Sequence, residues 1–141
     1  MTIYALSTAP GTAGLAVVRL SGPRALEALN TIVKNKDFTH STFKKCKFYH
    51  PVKHQQLDSG LAVYFKGPKS FTGEDVVELH IHGGYANTSI ILSALASIEY
   101  LRIADQGEFT KRAFINNKID LTGIEALGDL INSQTEQQHE Q

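Results

Sequence analysis

The sequence predicts one globular domain that mixes strand and helix, α+β in class, and four stretches carry that reading. Val76 to His82 alternates Val77, Leu79 and Ile81 with Glu78, His80 and His82, a period of two that gives a strand one apolar and one polar face. Leu15-Ala16-Val17-Val18-Arg19-Leu20 is a nearly continuous apolar run of strand length, the pattern of a strand buried on both faces. Two further sets, Ala25, Leu26, Leu29, Ile32 and Val33, then Ile90, Ile91, Leu92, Ala94, Leu95 and Ile98, recur at helical spacing and predict two core helices. With 141 residues, 42% of them hydrophobic, the chain has the length of one domain and enough apolar surface to bury a core.

In order, Ile3 to Leu6 forms a first strand, and Ala9-Pro10-Gly11-Thr12-Ala13-Gly14 is a loop enforced by its glycines and proline. The apolar strand ends at Ser21-Gly22-Pro23, which opens a helix of roughly ten residues. Asn35 to Thr42 is loop, Phe43 to Pro51 alternates basic and aromatic residues as an exposed strand does, and Lys53 to Gly60 reads as a turn. Leu61 to Phe65 is a strand closed by Gly67-Pro68, and the spacing describes a meander feeding the strand at Val76. That strand sits in a turn, strand, double-glycine, helix unit, Ser70 to Gly84 followed by a helix to Ile98. Leu101 to Ala104 makes a short strand, and Gly107 to Phe114 a short helix broken by Asn116-Asn117-Lys118. Thr122-Gly123-Ile124-Glu125 has the capping-box form, so a further helix starts there, with Ile124, Leu127 and Ile131 on its stripe. The stripe fades toward the end, as in the first helix of a larger domain that has been cut away.

Composition excludes some classes and leaves others open. Formal net charge is zero, yet eight lysines lie between Lys34 and Lys69 against only Asp37 and Asp58, while four acids and no Lys or Arg follow Thr122. The lysine-rich part is a solvated hairpin or a basic contact surface, and no aromatic-stacking or glycine-arginine motif accompanies it to decide between them. Cys46 is the single cysteine, so an intrachain disulfide is impossible and a reducing compartment fits; with no base beside it, it reads as structural. No apolar run is long enough for a membrane-spanning helix. The phosphate-cradling Gly-x-x-x-x-Gly-Lys-Ser/Thr loop is absent, so these residues cannot hydrolyse nucleotide by that route.

The chemically loaded residues are few. Arg19 interrupts an apolar strand and cannot shed its charge, so it meets a carboxylate such as Glu78 in an internal ion pair or it serves a ligand. Glu78, His80 and His82 share a strand face, but residues two apart on a strand are about 6.5 to 7 Å apart, so three in a row splay instead of closing on a metal. A fused heteroaromatic ring with an acidic tail would use these groups well: Glu78 accepts two parallel hydrogen bonds from an amidine-like ring edge, while Arg19 and Lys118 complement oxygen-rich parts.

The blocks TIYALST, PGTAGLAVVRLSGP, SFTGEDVVELHIHGG, GEFTKRAFINNKIDLT and EALGDLINSQTE, in that order, resemble the N-terminal domain of the tRNA-modification GTPases MnmE/TrmE. The resemblance implies a mixed β-sheet with flanking helices, similar to the folate-binding domain of the glycine-cleavage aminomethyltransferase. It implies a folate-binding and dimerisation domain over residues 1–121 and the first helix of a truncated helical domain over 122–141, with the G domain absent. The implied cofactor is a tetrahydrofolate derivative, 5,10-methylene- or 5-formyl-, as one-carbon donor for the wobble uridine of certain tRNAs. Its contacts fall on Arg19, Glu78 and Lys118, with no catalytic residue and no metal ligand in this chain. GTP, Mg and K belong to the full-length protein only, as do the MnmG-type flavoprotein and tRNA partners; the homodimer forms through this domain. Thr12 and Ala13 stand where the bacterial pattern has Arg-Gly, which points to a mitochondrial member, with the bacterial cytoplasm as the alternative. Two other readings stay open: a self-contained folate-dependent aminomethyltransferase, with Asp75 as its nearest acid or base, and a dimerisation module in which Arg19 and Glu78 only pair with each other.

Overall fold

The computed structural model describes residues 1–8, 14–34 and 37–119. Its elements are β1 (Thr2–Leu6), β2 (Leu15–Ser21), α1 (Ala25–Ile32), β3 (Lys44–Tyr49), β4 (Gln56–Phe65), β5 (Val76–His82), α2 (Tyr85–Ala96), β6 (Leu101–Ile103) and α3 (Glu108–Ile115). The strands form one sheet in the order β3-β4-β5-β2-β1-β6. β6 lies parallel to β1 and the other neighbours are antiparallel, so the α+β class and mixed sheet expected from the sequence are what the chain adopts.

Alternation along the strands separates two faces. Ala16, Val18 and Leu20 of β2, Val77, Leu79 and Ile81 of β5, and Ala62 and Tyr64 of β4 join one buried cluster with Ala28 and Leu29 of α1 and Ile91 and Leu95 of α2. The other face carries Arg19, Glu78 and His80. β2 is therefore not buried on both sides as its apolar run implies: Val17 and Arg19 are half-buried and Leu15 is 64% exposed, because neither α1 nor α2 covers that face. The double glycine before α2 has a backbone role, since Gly84 at the helix start has φ +102°, a conformation that costs glycine nothing.

The expected turn over Lys53 to Gly60 is a correction. The turn spans only the residues before Gln56, and β4 runs ten residues through Asp58, Ser59 and Gly60. Pairing with β3 satisfies the backbone of these polar residues, and the Asp58 carboxylate accepts from the His82 backbone N–H and the Asn87 side chain, so local polarity does not end the strand. Gly60 sits there because the β4 and β5 backbones approach closely: a Cβ would run into the carbonyl oxygen of His80. The capping-box helix at Thr122, the boundary at residues 121 and 122, and the loop residues 9–13 lie outside the described residues.

Gly60→Ala is expected to lower stability by about 1–3 kcal/mol, because the new methyl must push two paired strands apart. A shifted urea midpoint with an unchanged m-value checks this.

Candidate functional site

Antiparallel pairing of β2 with β5 sets Arg19 directly across from Glu78, and pairing of β4 with β5 sets Val63 across from Glu78 and Leu61 across from His80. Opposed residues share a face, so these side chains meet on the side away from α1 and α2. Arg19 donates to one carboxylate oxygen of Glu78, from Nε at 3.1 Å and from Nη2 at 2.9 Å. His80 Nε2 lies 3.2 Å from the other oxygen. The guanidinium and carboxylate are 27% and 17% exposed, shielded yet reachable. Two aromatic rings flank them: Phe71 lies 5.4 Å from the Arg19 guanidinium carbon, and Phe43 meets the His80 ring edge-on at 5.3 Å. Both rings are about half exposed, at 47% and 51%. Charge, an acceptor pair and exposed aromatic surface thus coincide on one part of the sheet.

Lys118 does not join this group directly. Its ammonium donates to the carbonyl of Pro68 at 3.0 Å, on the same 66–75 connection that carries Phe71. A polar network secures that connection. Ser21 Oγ lies 2.7 Å from Thr72 Oγ1 and donates to Glu74 at 2.8 Å, and Asn116 donates to the Thr72 carbonyl at 2.8 Å. Arg112 bridges Glu74 at 3.0 Å and Glu108 at 2.9 Å, and Glu108 in turn receives two hydrogen bonds from Arg102, at 2.9 and 2.7 Å. Sequence reading missed Arg102, Glu108 and Arg112. A charge pair at spacing i,i+4, Glu108 with Arg112, was the only local signal.

His82 parts from the other two residues of its triplet. Its Nδ1 is 2.7 Å from Asp58, which also accepts from the His82 backbone N–H at 2.9 Å and from Asn87 at 2.8 Å. Burial would raise the Asp58 carboxyl, but these donors outweigh it and hold it below its ordinary value. Among the described residues no group of three or more His, Cys, Asp and Glu is disposed to hold a metal. Asp75 accepts from the Gly67 N–H at 2.9 Å and from the Tyr64 hydroxyl, whose ring belongs to the core on the helix side. It is thereby drawn away from Glu78. A surface cavity of about 710 Å³ lies toward the β3 edge, lined by residues of β3 and β4 with Lys34 and His82, and none of Arg19, Glu78 and Lys118 lines it.

Over residues 2–118 the sequence matches the family described as GTP-binding protein TrmE N-terminus. The chain belongs to that family. Among relatives of the TrmE N-terminus family, the tRNA modification GTPase MnmE of Parvibaculum lavamentivorans is 54% identical over 140 residues, which is 99% of this chain and 32% of the relative. The proteins of the same name from Rickettsia typhi and Rickettsia rickettsii are 48% and 49% identical with the same coverage. The chain thus spans about a third, 32%, of the length of these curated relatives. They are bacterial, in keeping with the bacterial alternative to a mitochondrial source. Among the described residues no helix is long and apolar enough to cross a membrane.

Acid titration should expose the network that fastens α3. Hydrogen bonds from Arg102 hold the Glu108 carboxyl down at about 2, against burial, with the Asp105 N–H and Arg112 adding to the effect. A folded value below the unfolded one means that its contribution is complete above the ordinary 4.5 and is lost as pH falls from there toward about 2. Glu108→Gln is expected to cost on the order of 2 kcal/mol at neutral pH and to flatten that acid limb in urea unfolding measured across pH.

Proposed function

We propose that this chain is the folate-binding N-terminal part of a tRNA-modification GTPase. In this reading it holds a methylene- or formyl-tetrahydrofolate as one-carbon donor and pairs with a second copy of itself. The observation that carries the reading is the convergence of the Glu78 carboxylate and the Arg19 guanidinium on the sheet face away from α1 and α2, beside the exposed ring of Phe71. These residues fit a pterin. Its N–H and amino edge presents two parallel donors for the two carboxylate oxygens, one of which now receives both Arg19 N–H groups, so ring and guanidinium compete for the same acceptor. Phe71 supplies a surface for the flat ring, and Arg19, once released, keeps its charge for the ring's oxygen. Lys118 gives up only a backbone carbonyl to turn toward the acidic tail. The folate carries the one-carbon unit; the chain's own groups bind and orient it.

Pairing of two copies has its own support. Phe43, Leu61 and Phe71 expose apolar surface around this site, at 51%, 37% and 47%, and a second copy would cover it. GTP hydrolysis, the flavoprotein partner and the tRNA belong in this reading to the whole protein. A self-contained aminomethyltransferase is disfavoured by Asp75, which is engaged by Gly67 and Tyr64. The ligand-free dimerisation module keeps one argument, the Arg19–Glu78 pair itself.

Calorimetric titration with 5-formyltetrahydrofolate is expected to show binding that weakens about 10- to 100-fold in Glu78→Gln and in Arg19→Ala. Identical binding in wild type and both variants would overturn the site, and no heat at any folate concentration would leave the module reading standing. Light scattering is expected to give the mass of a dimer; a monomer counts against the pairing.

A further inference from the structure

The cavity toward the β3 edge belongs to none of the machinery above. Lys45 pairs across from Leu61 and Lys47 across from Ser59, and Leu61 also pairs across from His80. Its β3 and β4 wall therefore rises on the same sheet face as Glu78, at the opposite end from β6. Lys34, Lys45, Lys47, Tyr49, Ser59 and His82 are among its lining residues, and no carboxylate lines it. The Lys34 ammonium is seated 4.2 Å from the centroid of the Tyr49 ring, which keeps a charge at the wall. Among the described residues none of these three lysines meets a carboxylate in an ion pair. Asp58, the nearest acid by sequence, is only 9% exposed and is occupied by His82 and Asn87.

Three unneutralised ammoniums around one hollow form a local excess of positive charge in a chain of zero net charge, and such an excess selects a polyanion. The space, about 710 Å³, exceeds what a single phosphate fills and suits a short run of linked nucleotides. The hydroxyls of Ser59 and Tyr49 on the wall add donors for phosphate oxygens.

We propose that this cavity binds the phosphodiester backbone of single-stranded RNA, with Lys34, Lys45 and Lys47 as its phosphate contacts. The choice of a phosphate backbone stands on the charge; the choice of RNA rests on the tRNA-modification reading above.

The test is fluorescence anisotropy of the full chain with a labelled oligouridylate of about ten nucleotides, within the span one such groove covers, across a salt series. Binding is expected to weaken with salt, and Lys45→Glu/Lys47→Glu is expected to lower affinity more than tenfold at about 50 mM salt and to reduce the log–log salt slope by about 1.4. Both lysines are exposed, so circular dichroism should be unchanged and should confirm that the variant is folded. Absence of binding by wild type at low salt overturns the proposal. So does an equal loss in Lys53→Glu/Lys69→Glu, outside the cavity, or equal affinity for uridine monophosphate. Heat from 5-formyltetrahydrofolate reports separately on the folate reading: the Lys45/Lys47 variant is expected to keep it, and failure of RNA binding with that heat intact overturns this inference alone.

Discussion

The register between β2 and β5 is the constraint on which the rest depends. It aligns Val18 with Leu79 and Leu20 with Val77 beneath the helices, and the same alignment puts Arg19 against Glu78 on the other face. Slipping by one residue would turn every one of these side chains over. Burying an aliphatic side chain contributes about 1.5–3 kcal/mol, whereas a partly exposed ion pair contributes about 1 kcal/mol or less. The core therefore sets the register and the ion pair follows from it. That order of strength leaves the Arg19–Glu78 contact free to exchange for a ligand without loosening the sheet.

A second dependence runs through the 66–75 connection. Phe71 reaches Arg19 and Pro68 receives Lys118 only because Thr72 and Glu74 are fastened to Ser21 at the end of β2. Arg112 extends that fastening to α3, and Arg102 shares Glu108 with it. Glu74 and Glu108, the carboxylates of this network, each have a guanidinium partner, so it carries little uncompensated charge despite being largely shielded. One side of the connection is thus held by structural ion pairs, and the other side presents the aromatic ring.

Charge is zoned across the sheet face. At its centre an acid and a base neutralise each other; toward β3, Lys34, Lys45 and Lys47 meet no carboxylate in an ion pair among the described residues. A zero net charge conceals this arrangement, because opposite charges are counted together whether or not they touch. In the readings proposed above, two neighbouring regions of one face take different ligands: a flat ring with paired donors at the centre and a phosphate chain at the edge.

Much of the architecture was legible from residue pattern alone. Val76 to His82 is the strand its alternation predicts, α1 and α2 bury most of the stripes that their spacing marks, though Ile90 stays 47% exposed, and Arg19 and Glu78 stand out as a charge in an apolar run and an acid on a polar face. Period and polarity are local, and they suffice where one face of an element is buried. Other features depended on neighbours distant in sequence. Strand β4 begins at Gln56 because β3 pairs with its backbone, β2 has one open face because both helices pack on the other, and Lys118 meets Pro68 across fifty residues. Sequence by itself determined which segments become strands and helices and which residues bring charge. Tertiary structure alone decided which charges meet and which stand open, since hydrogen bonding and burial depend on what the fold places alongside.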